Sequence, residues 1–225
     1  MKTKRLEALV ANLGDKYSEA LDIDLSMAKD EEVFKWFLVS LLFGAPITES
    51  AVIKTYRCFC KHKVLTPKKI LAAGWDRLVK ILDEGSYTRY DFKTADKLLL
   101  VMKNLIEKYG GSLTRLHDQA LDPRDLEKRI KELGKGIANV TASIFLRELR
   151  GTWSKADPYP TPMVVQAAKQ LGIVDQNAAP EESLRQLKVF WSRNPVSGRS
   201  FVNFETALLR LTKDFVRKGK SVSFL

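Results

Sequence analysis

Metal-binding and cross-linking residues are scarce in this sequence of 225 residues, which has two cysteines, Cys58 and Cys60, and two histidines, His62 and His117. Two cysteines cannot supply the ligands of a four-cysteine iron–sulfur cluster, which excludes that class of site. No spacing among the cysteines and histidines is typical of a zinc site. Because side chains two positions apart on a helix point in different directions, Cys58 and Cys60 also make a poor disulfide. We predict buried or half-buried thiols in a reducing compartment.

Long apolar segments are missing as well. No run approaches the roughly 18 residues that would indicate a membrane span. The start of the chain, Met1-Lys2-Thr3-Lys4-Arg5, is basic, but charge interrupts the apolar stretch behind it too soon for a secretory signal. We therefore expect a cytosolic or nucleoid-associated protein with no membrane partner.

Acidic residues are outnumbered by basic ones, 27 Asp and Glu against 38 Lys and Arg, which gives a formal net charge of +11. Such a surplus favours a polyanionic partner, because each phosphate that a protein neutralises releases condensed counterions. A basic protein that is merely soluble has the same composition, so the charge alone leaves both interpretations open.

Patterns typical of β-strands are also absent. Apolar residues recur instead at three- and four-residue steps through most of the chain, which predicts an all-α fold, a two-lobed helical bundle. A helix is expected from Asp30 to Phe43, another from Thr48 to about His62, and a short one from Thr66-Pro67. Further helices are expected over residues 92–109, 122–133, 137–150, 161–171, 181–193 and 201–218.

The most informative segment has a helix, a glycine-rich turn and a second helix. The turn is Leu133-Gly134-Lys135-Gly136-Ile137-Ala138. Glycine permits a positive φ and a close backbone approach, and the free N–H groups at the start of the second helix form an anion site that suits a DNA phosphate. Lys135 and Asn139 add polar donors. A plain helical hairpin with a glycine cap explains the same residues, and from this segment alone the plain hairpin is favoured.

The residues after the hairpin change that balance. The second helix leads into Lys155-Ala156-Asp157-Pro158-Tyr159-Pro160-Thr161-Pro162, where one acidic residue precedes a proline-rich turn. Together the hairpin and this loop resemble the helix-hairpin-helix DNA glycosylases, the superfamily of endonuclease III. The resemblance covers about residues 30–172. It includes a central helix and following turn in residues 34–48 and a helix start in residues 88–95.

The resemblance implies an enzyme of base-excision repair that hydrolyses the N-glycosidic bond of a damaged or mismatched base in double-stranded DNA. The target nucleotide is rotated out of the duplex. A fixed carboxylate then stabilises the positive charge that develops on the sugar, or orients the attacking water. Asp157 stands at the position of this catalytic carboxylate. The competing interpretation is a loop or N-cap aspartate that is hydrogen-bonded to local amides.

The chain departs from the family pattern in ways that bear on activity. Members that also cleave the strand have a nucleophilic lysine where this chain has Val140, so we expect a monofunctional glycosylase. Lys135 is the nearby alternative to that lysine, but we assign it to the phosphate-binding turn. The second hairpin glycine is Ala138, the iron–sulfur loop is replaced by Arg217-Lys218-Gly219-Lys220, and no glutamine in residues 42–48 can fill the gap left by a flipped base. One alternative is a catalytically silent DNA-binding protein that retains the fold. Another is a basic helical scaffold with no role on DNA.

Further DNA contacts are expected from the turn that contains Tyr87, Arg89 and Tyr90, where an aromatic ring or an arginine can wedge between bases. A surface turn with one packed tyrosine is an equally open interpretation. Among the four tryptophans, Trp153 is the weak candidate for the wall of a base pocket, and the others are expected in the core. The predicted DNA-binding residues are Gly134, Lys135, Gly136, Ala138, Asn139, Tyr87, Arg89 and Tyr90.

We expect a monomer that forms one glycosylase-like unit of two lobes. About residues 30–130 would form a central helical lobe, and residues 1–29 with 131–225 would form the second lobe, which would contain the hairpin and Asp157. No metal and no dedicated cofactor are expected, although the resemblance allows a monovalent cation at the hairpin.

Overall fold

A computed structural model of the chain describes residues 3–222, and over this range the protein is all-α, as predicted. The described residues form eleven α-helices and no β-strand, with a single isolated bridge between Arg150 and Trp153. Among these helices, none combines the length and the apolar character that a membrane crossing needs. The helices are α1 Thr3–Leu13, α2 Asp30–Phe43, α3 Glu49–Lys61, α4 Pro67–Glu84, α5 Asp91–Tyr109, α6 Leu113–Gln119, α7 Pro123–Lys131, α8 Asn139–Arg147, α9 Pro162–Gln170, α10 Pro180–Arg193 and α11 Phe201–Arg210.

The chain divides into two compact units. One comprises Leu21–Pro158, and the other comprises the residues up to Ala20 together with those from Tyr159 onward. The sequence placed the hairpin and Asp157 in the lobe that contains the chain ends, but the structure places them in the unit Leu21–Pro158. The physical reason is packing, because α8 lies against α2 and α7 within that unit.

Helix α2 is the centre of the unit Leu21–Pro158. Its acidic first turn suits the positive end of the helix dipole, and nearly every side chain from Val33 to Leu42 is buried. A helix that is apolar all round must be surrounded by other elements, and α2 packs against α3, α6 and α8. The indole N–H of the fully buried Trp36 donates to the carbonyl oxygen of Phe145 at 3.0 Å, which ties α2 to α8.

Local signals define the ends of the helices around α2. The Oγ1 atom of Thr48 accepts a hydrogen bond from the backbone of α3, and Thr66 caps α4 in the same way. The short helix predicted after Thr66 extends to Glu84, because it resumes beyond a kink at Gly74, whose φ is +70°. Helix α5 packs along α4 and ends at Gly110 in the left-handed conformation.

In the other unit, α11 is the central helix. Its side chains from Val202 to Leu209 are buried, and it packs against α1, α9 and α10. Asn203 donates through Nδ2 to the carbonyl oxygen of Gly14 at 2.8 Å, which fixes the end of α1. The predicted helix over 201–218 continues past Arg210 as a π-helical turn, Leu211–Phe215, and a 3-10 turn, Val216–Lys218.

We predict that Trp36→Phe lowers the free energy of unfolding by about 1–3 kcal/mol, because the change removes the donor to a buried carbonyl group and part of a packed ring. Trp75→Phe is the matched control. The indole N–H of Trp75 donates to Oδ1 of Asp96 at 2.9 Å, but the residue is 37% exposed, so we expect a change within about 0.5 kcal/mol. Urea unfolding measures both variants, and equal losses would contradict the central position of Trp36.

Candidate functional site

Helices α7 and α8 form the predicted hairpin. Helix α7 begins after Asp122, whose carboxylate accepts hydrogen bonds from the N–H groups of Arg124 at 2.7 Å and Asp125 at 2.9 Å. Helix α8 begins after Ala138, a residue whose side chain cannot cap the helix. Buried Leu133 and Ile137 anchor the turn. The exposed residues of the turn and of the start of α8 are Lys135, Gly136, Ala138, Asn139 and Val140.

The two glycines of the hairpin turn are required for different reasons. Gly136 has a φ of +89°, which side chains of L-residues rarely tolerate. At Gly134 the reason is space, because a Cβ atom would lie 2.8 Å from Cγ2 of Val101 on α5. Asn104, also on α5, donates through Nδ2 to the carbonyl oxygen of Leu133 at 2.8 Å. The turn therefore packs against α5, and the sequence did not predict this contact.

Lys97 lies on α5 beneath the hairpin turn. A Cβ atom on Gly136 would lie 3.3 Å from Cδ of Lys97, and Nζ of Lys97 donates to the carbonyl oxygen of Leu41 at 2.7 Å. Burial lowers the pKa of this amine to about 8. Lys97 therefore links α5 to α2 and contacts the hairpin. In the sequence it is one of many lysines between apolar positions, so no pattern distinguished it.

The Asp157 side chain is held by arginine and is 32% exposed. Its Oδ1 atom accepts a hydrogen bond from Nη1 of Arg150, whose own side chain is only 7% exposed. Nη2 of Arg150 donates to the carbonyl oxygen of Pro158, and Nη2 of Arg124 donates to the carbonyl oxygen of Asp157. Sequence reasoning missed both arginines, since neither stands in a motif that involves Asp157.

A second carboxylate lies in the same network. Oε1 of Glu127 is 2.6 Å from Nη1 of Arg124. Burial raises the pKa of Glu127, and the charge of Asp157 raises it further, while Arg124, Lys131 and Arg150 act in the opposite direction. We call Arg124, Glu127, Arg150 and Asp157 the arginine–carboxylate cluster. It joins α7 to the segment between α8 and α9.

The turn between α4 and α5 contains the remaining predicted DNA contacts. Tyr87 is fully buried and donates its O–H to the carbonyl oxygen of Leu42 at 2.5 Å, so the prediction that it contacts DNA is wrong. Arg89 is exposed, and its guanidinium carbon lies 5.5 Å from the centre of the Tyr90 ring. Arg89 and Tyr90 line a cleft of about 530 Å³, together with Pro46, Ile47, Thr48, Ser50, Ala51, Lys54, Ser86 and Thr88.

Trp153 occupies the core and not the wall of an open pocket. It is 4% exposed, stacks on His117 with 4.6 Å between ring centroids, and meets Phe145 edge-on at 5.7 Å. The prediction that it lines a base pocket is therefore wrong, because neighbouring side chains already cover the ring. Trp36 is buried as expected, whereas Trp75 is partly exposed beside Phe92.

Potential metal ligands are dispersed over the described part of the chain. Residues 3–222 contain no group of three His, Cys, Asp or Glu side chains that could hold a metal ion. Cys58 is a buried free thiol and Cys60 is a half-buried one, as predicted.

Comparison with known proteins relates this geometry to solved structures. The sequence matches no protein-family model and no curated protein sequence. The structure resembles that of the H. pylori 3-methyladenine DNA glycosylase bound to 1,N6-ethenoadenine, with a TM-score of 0.59 and 15% identity over 97% of this chain and 100% of that chain. It also resembles an endonuclease III in a trapped covalent intermediate with DNA, with a TM-score of 0.50 and 16% identity over 94% of this chain and 86% of that chain. The chain has the fold of the helix-hairpin-helix DNA glycosylases.

This glycosylase fold gathers the predicted site residues in the unit Leu21–Pro158, which contains the hairpin, Asp157 and the turn with Arg89 and Tyr90. Val140, which the family resemblance assigns to the lysine position of strand-cleaving members, is 53% exposed in the first turn of α8. The DNA-contact roles of the hairpin residues, Arg89 and Tyr90 and the catalytic role of Asp157 stay predictions.

We predict that the stability of the protein depends on pH through Lys97. Its pKa is about 8 in the folded state and about 10.4 in an unfolded chain, so between these values the unfolded state binds more protons. The free energy of unfolding should therefore rise with pH across this window in the wild-type protein relative to Lys97→Met. Urea unfolding of both proteins at pH 7.0 and 9.5 measures the difference, and parallel pH dependences would contradict it.

Proposed function

We propose that this protein is a DNA glycosylase of base-excision repair. It hydrolyses the bond between a damaged or mismatched base and deoxyribose in duplex DNA, and it acts as a monomer. The observation that carries the proposal is that an exposed hairpin and the partly exposed carboxylate of Asp157 belong to one compact unit of a chain with the DNA-glycosylase fold. The net charge of +11 supports a polyanionic partner.

The hairpin supplies binding that does not depend on base sequence. The N–H groups in the first turn of α8 lie at an exposed end of the helix with no side-chain cap, and Lys135 is exposed beside them. Such amides, together with the helix dipole, suit a phosphate of the DNA backbone. The cleft with Arg89 and Tyr90 adds a basic and aromatic surface on which an unpaired base can stack.

Asp157 supplies the chemistry of the reaction. As the base leaves with the bonding electrons, positive charge develops on the sugar, and a carboxylate held next to it lowers the barrier. The same carboxylate can orient the attacking water. The H. pylori neighbour is a 3-methyladenine glycosylase with 1,N6-ethenoadenine bound, so modified adenines are the first bases to test on this chain.

Water is the proposed nucleophile. The exposed side chain of Val140 has no nucleophilic group, so attack on the sugar does not proceed through an enzyme amine at this position. The expected product is an unbroken strand with an abasic site.

One observation favours a second function. The guanidinium group of Arg150 neutralises part of the charge on Asp157, which weakens the attraction between this carboxylate and a positively charged sugar. A catalytically silent DNA-binding protein that retains the fold is therefore the alternative. The same hairpin would bind the duplex, and no base would be released.

We predict base release from at least one labelled duplex in a panel that carries 3-methyladenine, ethenoadenine, uracil, a thymine mismatch or 8-oxoguanine. Strands should break only after hot alkali, and Asp157→Asn should slow the reaction by roughly 100-fold or more. Asp118→Asn, at a side chain that is 66% exposed, is the matched control and should keep the wild-type rate. Breaks without alkali would contradict a monofunctional enzyme. Intact binding with no release from any duplex would favour the silent protein.

We predict that Gly136→Ala weakens the binding of all duplexes by a similar factor, about fivefold or more. An L-residue in the left-handed conformation costs roughly 1–2 kcal/mol, and relief of this strain distorts the hairpin turn. Gly172→Ala is the control, because Gly172 has a φ of +67°, lies after α9 and has no neighbour within 4 Å of an added Cβ atom. Gel-shift titrations at one fixed salt concentration compare the two variants. Equal losses of affinity would remove the hairpin from the binding surface.

A further inference from the structure

We propose that Arg150 is the positioning residue of Asp157, and that it fixes the carboxylate in the orientation in which the reaction uses it. This inference rests on the proposed function and deepens it, because it assigns a partner to the aspartate on which the proposed chemistry depends. Arg150 touches neither substrate nor reacting atoms in this proposal and acts only through Asp157.

The hydrogen bonds of Arg150 hold both the side chain and the backbone at this point of the loop. Nη1 donates to Oδ1 of Asp157, and Nη2 donates to the carbonyl oxygen of Pro158. One planar guanidinium group therefore restrains the rotamer of Asp157 and the peptide that follows it. A lysine in the same place would supply the charge without the fixed two-point geometry.

The two side chains of the pair differ in how far they are buried. The Arg150 side chain is 7% exposed and the Asp157 side chain is 32% exposed, so the guanidinium group lies inside the unit and the carboxylate reaches the surface. Rotamers of a buried side chain are limited by its packing, whereas an exposed aspartate by itself has several. The fixed partner is therefore Arg150, and Asp157 takes its orientation from it.

Arg124 extends this restraint to the hairpin. It belongs to α7, donates to the carbonyl oxygen of Asp157 and pairs with Glu127 at 2.6 Å. Arg124 thus ties the backbone at Asp157 to the first turn of α7, the helix that leads into the hairpin turn. Small displacements of a reacting group are costly, since a shift of about 1 Å can slow a reaction by roughly 100-fold.

The test compares Arg150→Gln and Arg150→Lys with the wild type in single-turnover base release and in duplex binding. We expect Arg150→Gln to lower the rate by about 10- to 100-fold and Arg150→Lys to give an intermediate rate. The dissociation constant for the duplex should stay within about twofold in both, because binding is assigned to the hairpin. Arg129→Gln is the matched control. It also removes an Arg–Asp pair, the 2.8 Å contact with Asp125 within α7, and should keep the wild-type rate.

A second measurement does not require activity. In thermal unfolding, Arg150→Gln combined with Asp157→Asn should be no less stable than the less stable of the two single variants, because the two changes remove one shared interaction. This readout also separates folding from chemistry, as loss of Asp157 leaves a buried guanidinium group without its carboxylate. Additive losses would show that the pair does not exist in solution and would overturn the proposal.

The remaining outcomes separate this inference from the proposed function. If the wild type releases a base and Arg150→Gln keeps its rate within about twofold, the positioning role of Arg150 is wrong and the glycosylase function stands. A parallel loss of rate and of duplex affinity in Arg150→Gln would show a general structural role and would also overturn the inference. If the wild type releases no base from any duplex, the proposed function fails, and the positioning role fails with it.

Discussion

The burial of α2 on every side is the constraint on which the rest of the unit Leu21–Pro158 depends. A helix that is apolar over nearly all of its surface must be surrounded, and the surrounding helices take their places from their contacts with it. Trp36 fixes α8 through the carbonyl group of Phe145, and Asp30 accepts a hydrogen bond from the backbone of Thr114 at the start of α6. Lys97 fixes α5 through the carbonyl group of Leu41. The hairpin and the Asp157 loop are positioned by helices that α2 arranges.

Contacts at the ends of helices position the hairpin turn and Asp157, and several of them involve charged side chains. The hairpin turn rests on α5 through two close glycine contacts, and the arginine–carboxylate cluster connects α7 with the Asp157 loop. Buried or half-buried pairs of this kind keep their geometry better than exposed ones. The arrangement restrains the Asp157 carboxylate relative to α7, the first helix of the hairpin. The same arrangement explains why substitutions at Asp157 are expected to affect folding as well as chemistry.

The likeness to solved glycosylases at 15–16% identity shows how little of the sequence a fold of this kind constrains. Cores accept many apolar sequences provided that volume and pattern are kept. The function has to be argued from the site, and here the site differs from the family pattern at Val140, Ala138 and the segment 42–48. Only Val140 bears on the proposed nucleophile, because its side chain cannot replace a lysine, whereas Ala138 and the segment 42–48 bear on the proposed binding of DNA.

The sequence by itself determined the all-α class, the helix ends at Thr48, Thr66, Gly110 and Asp122, and the position of the hairpin, because caps, glycine turns and apolar periodicity are local signals. It did not reveal α1, or α6, which is a seven-residue helix whose stability comes from packing. Only the tertiary structure decided that the hairpin belongs to the unit Leu21–Pro158, that Tyr87 and Trp153 are core residues, and that Arg150 holds Asp157. The first two depend on which distant segments meet, and the third depends on the path of the loop after α8; all are settled by the simultaneous burial of the apolar faces and by no local pattern.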